Sequence, residues 1–176
     1  MTRPIKYGSA QLLNKNHDRA SFDCGVEPLN DFLKKYALQN QKKDVGRTYV
    51  VLNEDGRIAG FYTLVFSGVS VEETTPRVAS GLGRYPVPVI LLARLAVDLR
   101  EKGRGLGSGL IRDALLRAVS ASDIAGLRAV VVHAKDKAAK EFYQRFGFEP
   151  SPHNENHLYM ILSEVRKSLS GIDDGS

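Results

Sequence analysis

A glycine-rich turn between an apolar run and an amphipathic segment is the feature that most constrains this sequence. The turn reads Lys102-Gly-Arg-Gly-Leu-Gly-Ser108 and follows the nearly continuous apolar residues 89–97. The first turn of a helix carries N–H groups that lack intrahelical acceptors and lie along a favourable dipole, so an anion can bind there. Gly103, Gly105 and Gly107 remove the Cβ atoms that would keep a diphosphate away from those amides. The pattern predicts a diphosphate-binding turn between a strand and a helix.

Two other phosphate-binding motifs match this turn less well. A P-loop requires a lysine followed by serine or threonine after its last glycine, and the turn lacks that pair. The dinucleotide-binding fingerprint Gly-x-Gly-x-x-Gly has a leucine, Leu110, at its last position here. A flexible connection without any ligand stays open as an alternative, because glycine clusters also simply join elements.

The N-terminal half of the sequence predicts a helical segment followed by a β-hairpin. Residues 21–43 have apolar side chains at helical spacing, as one kinked helix or two short ones, with Asp23 as a candidate cap and Pro28 near the start. Residues 47–53 and 57–66 are rich in β-forming residues and are separated by an Asp-Gly turn, which favours a tight hairpin.

The rest of the sequence predicts an α/β architecture. Residues 67–88 are rich in glycine and proline and predict a long surface connection. The elements expected after it are a strand at 89–97, a helix at 106–118, a strand at 128–133, a helix at 137–145 capped by Asp136, and short strands at 148–150 and 157–162. A single domain is expected over residues 1–170, followed by a disordered tail at residues 171–176.

Composition indicates a globular chain with a preference for polyanions. The chain has 176 residues, 43% of them hydrophobic and 26% charged, which is typical of a folded domain rather than a disordered or fibrous one. Its formal net charge of +5 favours nucleic acid or a phosphate-rich cofactor. Cys24 is the single cysteine, so an intramolecular disulfide is excluded. The absence of a signal-like or membrane-spanning apolar run predicts a soluble, cytoplasmic protein with no membrane partner.

The turn and its surroundings resemble the GCN5-related N-acetyltransferase (GNAT) family from residue 47 to residue 162. That family has the motif Gln/Arg-x-x-Gly-x-Gly/Ala after a strand, and here lysine occupies the first position. The resemblance implies a single-domain, mixed, largely antiparallel sheet flanked by helices, with acetyl-CoA as the co-substrate. It implies that the pantetheine arm lies beside the preceding strand. The cofactor-binding residues expected on this basis are Leu95, Val97, Lys102, Gly103, Arg104, Gly105, Gly107 and Ser108.

Tyr143 is the candidate catalytic residue. It resembles the tyrosine that the family places near the sulfur of the cofactor, which implies a general acid for the departing thiolate. A packed tyrosine is the alternative, since Tyr143 lies at the edge of an apolar helical stripe. No general base is evident, because a lone histidine such as His133 is more often structural. His153 and His157 offer too few ligands for a metal, so no metal site is assigned.

The N-terminal third narrows the resemblance to the acetyltransferase toxins of bacterial toxin–antitoxin pairs. The similarity lies in residues 22–34, 37–42 and 47–50. It implies acetylation of the α-amino group of aminoacyl-tRNA, a block of translation, and a ribbon-helix-helix antitoxin that connects the enzyme indirectly to operator DNA; a homodimer is also expected. Alternatives are a GNAT enzyme acting on a small-molecule amine or a protein N-terminus, and a non-catalytic nucleic-acid-binding module.

Basic side chains provide a candidate tRNA surface. Cations spaced along one chain surface can follow a phosphate backbone, although a basic helix face is also commonly just solvated. The residues expected to contact tRNA are Lys34, Lys35, Lys42, Lys43, Arg47, Arg77, Arg84 and Arg94.

Overall fold

The structure, a computed structural model, describes residues 7–173, with side chains described as far as residue 168. Six α-helices and seven strands follow one another along this part of the chain. The helices are α1 (Glu27–Asp31), α2 (Ala37–Lys42), α3 (Pro76–Ala79), α4 (Leu106–Ser122), α5 (Lys137–Arg145) and α6 (Leu162–Asp173). The strands are β1 (Gln11–Leu12), β2 (Arg47–Leu52), β3 (Ile58–Val69), β4 (Val87–Val97), β5 (Ala129–His133), β6 (Glu149–Pro150) and β7 (His157–Ile161).

The seven strands form one mixed sheet in the order β1-β2-β3-β4-β5-β7-β6. Strand β4 pairs with β5 in parallel, from Val89 opposite Ala129 to Leu92 opposite Val132. The pairs β1–β2, β2–β3, β5–β7 and β6–β7 are antiparallel. The expected α/β class with a mixed, largely antiparallel sheet flanked by helices is therefore confirmed.

The chain forms two compact units, and the first contains the glycine-rich turn. This unit comprises the described residues up to Val65 together with Ala93–Ala114. Its core joins the helical segment around α1 and α2 to the sheet, and Phe22 packs edge-on against Phe61 at a centroid distance of 5.4 Å. Aromatic pairs of this geometry stabilise a core beyond the area that they bury.

The second unit comprises Phe66–Leu92 and the chain from Leu115 onward. Its core contains Val78, Val89, Val131 and Tyr159, which come from α3, β4, β5 and β7. The expectation of a single domain over residues 1–170 stays a prediction. No helix within residues 7–173 is long and apolar enough to cross a membrane.

The predicted helix at residues 21–43 begins later than expected. The first helical residue is Glu27, because Gly25 has a φ of +83° and interrupts the backbone before it. Asp23 does not cap the helix: its side chain accepts hydrogen bonds from the Gly25 N–H and the Asn30 Nδ2 instead. Pro28 lies in the first turn as predicted. Helices α1 and α2 are joined by a π-helical segment, Phe32–Tyr36.

The predicted loop at residues 67–88 is wrong in part. Strand β3 continues to Val69, a 3₁₀ turn occupies Val71–Glu73, and β4 starts at Val87. The short helix α3 lies between them, because the Thr75 side chain accepts a hydrogen bond from the Val78 N–H and the following proline suits a first helical position. Thr-Pro is a local helix-start signal that the glycine and proline content obscured.

Two elements at the ends of the chain were not anticipated. Strand β1 is only two residues long and carries no sequence signal of its own. Helix α6 continues to Asp173, and the remaining residues of the predicted tail, 174–176, lie outside the described residues.

Gly60 permits the close approach of α4 to the sheet. A Cβ atom at this position would lie 2.9 Å from Leu110 Cδ1 and 3.1 Å from the Ala96 carbonyl oxygen. We expect Gly60→Ala to lower the free energy of unfolding by about 1–3 kcal/mol, since the Leu110 side chain and the Ala96 backbone must both give way. Urea denaturation measures the change, with Gly126→Ala as the control because a Cβ atom there meets nothing within 4 Å. Equal stability of the two variants would contradict the close packing of α4 on β3.

Candidate active site

The glycine-rich turn presents an open cradle at the start of α4. Gly103 and Gly105 both have a φ of +79°, a conformation that side chains disfavour, and a Cβ atom at either position would meet nothing within 4 Å. The Gly109 N–H donates to the Gly105 carbonyl at 3.2 Å, so the N–H groups of residues 106–108 belong to the helix turn that lacks intrahelical acceptors. Such a turn can hold a diphosphate against its backbone.

Glu101 fixes the base of this turn. It is 6% exposed, and its carboxylate accepts hydrogen bonds from Tyr7 Oη at 2.8 Å, Asn53 Nδ2 at 3.1 Å and Arg104 Nη1 at 2.7 Å. Burial alone would raise the pKa of Glu101, but the hydrogen bonds from Asn53 and Tyr7 and the positive charge of Arg104 outweigh it and lower the pKa. Glu101 therefore stays ionised at neutral pH and anchors Arg104 beside the cradle.

A cavity of about 260 Å³ adjoins the same turn, and Tyr7, Arg104 and Gly105 lie in its wall. Lys102 and Ser108 are exposed. Space, backbone amides and cations thus coincide at the turn. This arrangement suits the linked phosphates of coenzyme A, although the individual contacts assigned to the turn residues stay predictions.

At its end, β4 pairs with β3 on one side and leaves backbone groups on the other side that can pair with an extended ligand. The Asp98 N–H donates to the Ala59 carbonyl of β3 at 2.8 Å. Because successive residues of a regular strand direct their N–H and C=O groups to opposite sides, Val97 and Leu95 direct theirs away from β3. The β4–β5 ladder covers only Val89–Leu92 within the described residues. This geometry supports the prediction that the pantetheine amides pair with Leu95 and Val97.

Tyr143 lies on α5 in the second unit, and α5 has the predicted cap. The Asp136 side chain accepts a hydrogen bond from the Ala139 N–H at 2.8 Å, and the helix stops before Gly147, which has a φ of +102°. Tyr143 is 9% exposed and packs against the ring of Phe148 at a centroid distance of 5.7 Å. The ring of Tyr143 is therefore a packed part of the second unit, and its catalytic role stays a prediction.

Packing of the ring does not explain why residue 143 carries a hydroxyl group. It has no hydrogen-bond partner among the described residues, whereas buried tyrosine hydroxyls usually find one. No fully enclosed polar side-chain atom in the described part of the chain lacks a partner, so this hydroxyl retains solvent access. Burial raises the pKa of Tyr143 to about 12, and the hydroxyl is protonated at neutral pH. A protonated hydroxyl that retains solvent access can act as a proton donor.

Histidines and Cys24 do not form a metal site in the described part of the chain. No group of three or more histidine, cysteine, aspartate and glutamate side chains there could hold an ion. His133 and His157 are register partners in β5 and β7, and their rings stack at a centroid distance of 3.8 Å. Burial, with a smaller contribution from His157, lowers the pKa of His133. Sequence spacing gave no indication of this pair, because the two residues are joined by strand register.

The eight basic residues expected to contact tRNA fall into two groups. Three of them pair with carboxylates: Lys35 with Asp31 at 3.2 Å, Arg47 with Asp44 at 2.8 Å, and Arg77 with both Glu149 and Glu164. Exposed single ion pairs are weak, so Lys35 and Arg47 remain available to bind phosphate groups. The charge of Arg77, in contrast, is compensated by two carboxylates. The other five form no ion pair within 4 Å among the described residues: Lys34, Lys42, Lys43, Arg84 and Arg94.

Sequence comparison relates the chain to acetyltransferases. Residues 45–150 match the family model of the acetyltransferase (GNAT) domain. The tRNA-acetylating toxin of Mycobacterium tuberculosis (strain ATCC 25618 / H37Rv) is 43% identical over 160 residues, which span 91% of this chain and 95% of that protein.

Solved structures of similar fold extend the comparison to complexes. AtaT complexed with acetyl-methionyl-tRNAfMet superposes with a TM-score of 0.85 at 26% identity, covering 93% of this chain and 99% of that one. A tyrosine-to-phenylalanine mutant of AtaT bound to the C-terminus of the antitoxin AtaR and acetyl-CoA has a TM-score of 0.78 at 26% identity, with coverage of 94% and 99%. The AtaT–AtaR complex bound to DNA has a TM-score of 0.74 at 27% identity, with coverage of 92% and 99%.

Proposed function

Because the chain belongs to the GNAT family of acetyltransferases, we propose that it transfers the acetyl group of acetyl-CoA to the α-amino group of an amino acid carried by tRNA and so blocks translation. The observation that carries this proposal is the 43% identity, over nearly the whole length of both proteins, to a tRNA-acetylating toxin. The similarity to AtaT bound to an acetylated aminoacyl-tRNA supports the same substrate class.

The glycine-rich turn fits acetyl-CoA, which supplies the acetyl group as an activated thioester. In the proposed arrangement, the N–H groups around Gly105 and Gly107 bind the diphosphate, with Gly103 giving the turn its shape. Lys102, Arg104 and Ser108 add charge and a hydroxyl at the same place. Leu95 and Val97 hold the pantetheine arm through their backbone groups.

Tyr143 is proposed as the general acid of the transfer. The acceptor amine must be neutral to attack the thioester carbonyl, and the sulfur that leaves must be protonated or stabilised. The Tyr143 hydroxyl is protonated at neutral pH, as burial raises its pKa further, to about 12, so it can donate a proton to the departing sulfur. The proton that the attacking nitrogen loses then restores the hydroxyl through solvent. An α-amino group whose carboxyl group is bonded has a pKa of about 7.7–8.0, so about a tenth or more is neutral near pH 7 without an enzymatic base.

Partners follow from the same relatives. The similar toxin AtaT is solved with its antitoxin AtaR and with DNA. We propose that this chain likewise binds an antitoxin that contacts DNA. A ribbon-helix-helix fold for that antitoxin, a homodimeric enzyme and a cytoplasmic location complete the proposal.

A translation assay tests the proposed function. Purified protein added to a cell-free translation reaction is expected to stop protein synthesis only when acetyl-CoA is present, because the block requires acetyl transfer. Free coenzyme A in place of acetyl-CoA is the control, since it occupies the same turn without donating a group. Inhibition that does not depend on acetyl-CoA would contradict the mechanism.

A further inference from the structure

Arg94 is a half-buried cation held on an aromatic platform. Its guanidinium lies 3.8 Å from the centroid of the Phe32 ring, on which it stacks. Phe32 is itself 5% exposed and stacks with Phe61 at a centroid distance of 6.3 Å. The platform is therefore part of the core of the first unit, and it fixes one face of the guanidinium while the N–H donors lie around the rim.

No anion compensates this cation within the described part of the chain. Arg94 has neither a hydrogen bond nor an ion pair to another described residue. Burial lowers the pKa of Arg94, which reflects the loss of hydration around the guanidinium. Charges that are withdrawn from water are normally paired, so an unpaired and partly desolvated arginine points to an anion supplied from outside the chain.

The position of Arg94 in β4 indicates that its anion is a different group from the phosphates of the cofactor. Arg94 precedes Leu95, so its side chain projects from the opposite face of the strand, toward the π-helical segment that carries Phe32. The cofactor phosphates have a separate cradle at the end of the strand, with Lys102 and Arg104 beside it. Arg94 therefore lies next to Leu95 and Val97, where the pantetheine arm is predicted to bind, but outside the turn that is predicted to bind the diphosphate.

The π-helical segment adds evidence that this face is a binding surface. Phe32–Tyr36 forms a π-helix, a rare conformation that is frequent at functional sites. The same segment carries Lys34, which is only partly exposed and whose charge helps to lower the pKa of Asp23. This segment therefore places a second basic side chain two residues along the chain from the Phe32 platform.

We infer that Arg94 binds the phosphodiester that links the last two nucleotides of the aminoacyl-tRNA substrate, and so positions the amino acid for transfer. This inference rests on the proposed function. The aminoacyl group is esterified to the terminal nucleoside, so this phosphodiester is the phosphate group nearest to the reacting amine. A guanidinium beside the predicted pantetheine site is well suited to bind this phosphodiester, because its planar N–H donors match two phosphate oxygens.

A comparison of two minimal substrates tests the inference. One is an aminoacyl-adenosine, which has no phosphate, and the other is the same amino acid on cytidylyl-(3′→5′)-adenosine, which has one phosphodiester. The wild-type enzyme is expected to have a lower KM for the dinucleotide than for the nucleoside. Arg94→Gln is expected to raise the KM for the dinucleotide about 10- to 100-fold, the usual range for one charge-assisted contact, and to leave the KM for the nucleoside and for acetyl-CoA unchanged.

Control variants and further outcomes keep the test decisive. Arg112→Gln removes an exposed arginine from α4 of the same unit and is expected to retain the wild-type preference for the dinucleotide. Arg94→Lys keeps the charge and is expected to retain part of that preference. Equal KM values of the wild-type enzyme for both substrates would overturn the inference while leaving the proposed function intact, and so would a raised KM for acetyl-CoA in Arg94→Gln. Failure of the wild-type enzyme to acetylate the dinucleotide substrate, with intact aminoacyl-tRNA still acetylated, would also overturn the inference, whereas failure to acetylate intact aminoacyl-tRNA would refute the proposed function itself.

Discussion

Replacing Tyr143 by phenylalanine is expected to lower kcat about 100- to 10,000-fold, the range typical of a lost general acid or base. The ring keeps its contacts with Phe142 and Phe148, so the fold and the binding of acetyl-CoA should be retained. Only the hydroxyl is removed, and it is the group that has no structural partner among the described residues. Steady-state kinetics with aminoacyl-tRNA measure kcat, and calorimetry with coenzyme A measures the retained affinity.

Tyr159→Phe provides the matched control for this change. Tyr159 is another buried tyrosine of the same unit, 2% exposed, and it lies in β7 rather than on α5. Its substitution is expected to leave kcat near that of the wild type. Turnover by Tyr143→Phe as fast as by this control would show that Tyr143 is a packing residue and would remove it from the catalytic mechanism.

Gly105→Ala is expected to weaken coenzyme A binding more than about tenfold. The left-handed conformation at this position, with a φ of +79°, costs about 1–2 kcal/mol for a residue with a Cβ atom. The added methyl group also enters the open space that the diphosphate is proposed to fill, because nothing else lies within 4 Å of it. Isothermal titration calorimetry with coenzyme A gives the change in Kd.

Gly56→Ala isolates this effect from the strain of a left-handed residue. Gly56 lies in the hairpin turn of the same unit, has a φ of +77°, and a Cβ atom there also meets nothing within 4 Å. The variant carries the same backbone cost, but it should bind coenzyme A with nearly the wild-type affinity. Unchanged affinity in both variants would contradict the placement of the diphosphate at residues 103–108.

Local signals explain why much of the site could be predicted from sequence. The strand–turn–helix order around Gly105, the hairpin before it, and helix α5 with its Asp136 cap each depend on residues that are close in the chain. The conformations that glycine, Asp-Gly and a capping aspartate favour are properties of the local backbone. These elements therefore appeared in the structure close to where the sequence pattern predicted them.

Contacts between distant residues explain what the sequence did not reveal. Glu101 reads as one acidic residue in a basic turn, and its burial depends on Tyr7 and Asn53, which lie 94 and 48 positions away. The charge of Arg77 suggested an RNA contact, but Glu149 and Glu164 compensate it from other elements. Neither arrangement leaves a periodic or motif-like trace, since each requires the folded sheet to bring its members together.

Mass analysis of the aminoacyl end of tRNA is the most direct test of the acetyl-transfer account. Aminoacyl-tRNA is incubated with the enzyme and acetyl-CoA and then digested with a nuclease that releases the terminal aminoacyl-adenosine. The account predicts a gain of one acetyl group on the amino acid, absent when acetyl-CoA is omitted and strongly reduced with Tyr143→Phe. The account would be contradicted if the aminoacyl-adenosine stayed unmodified after incubation with enzyme that binds acetyl-CoA.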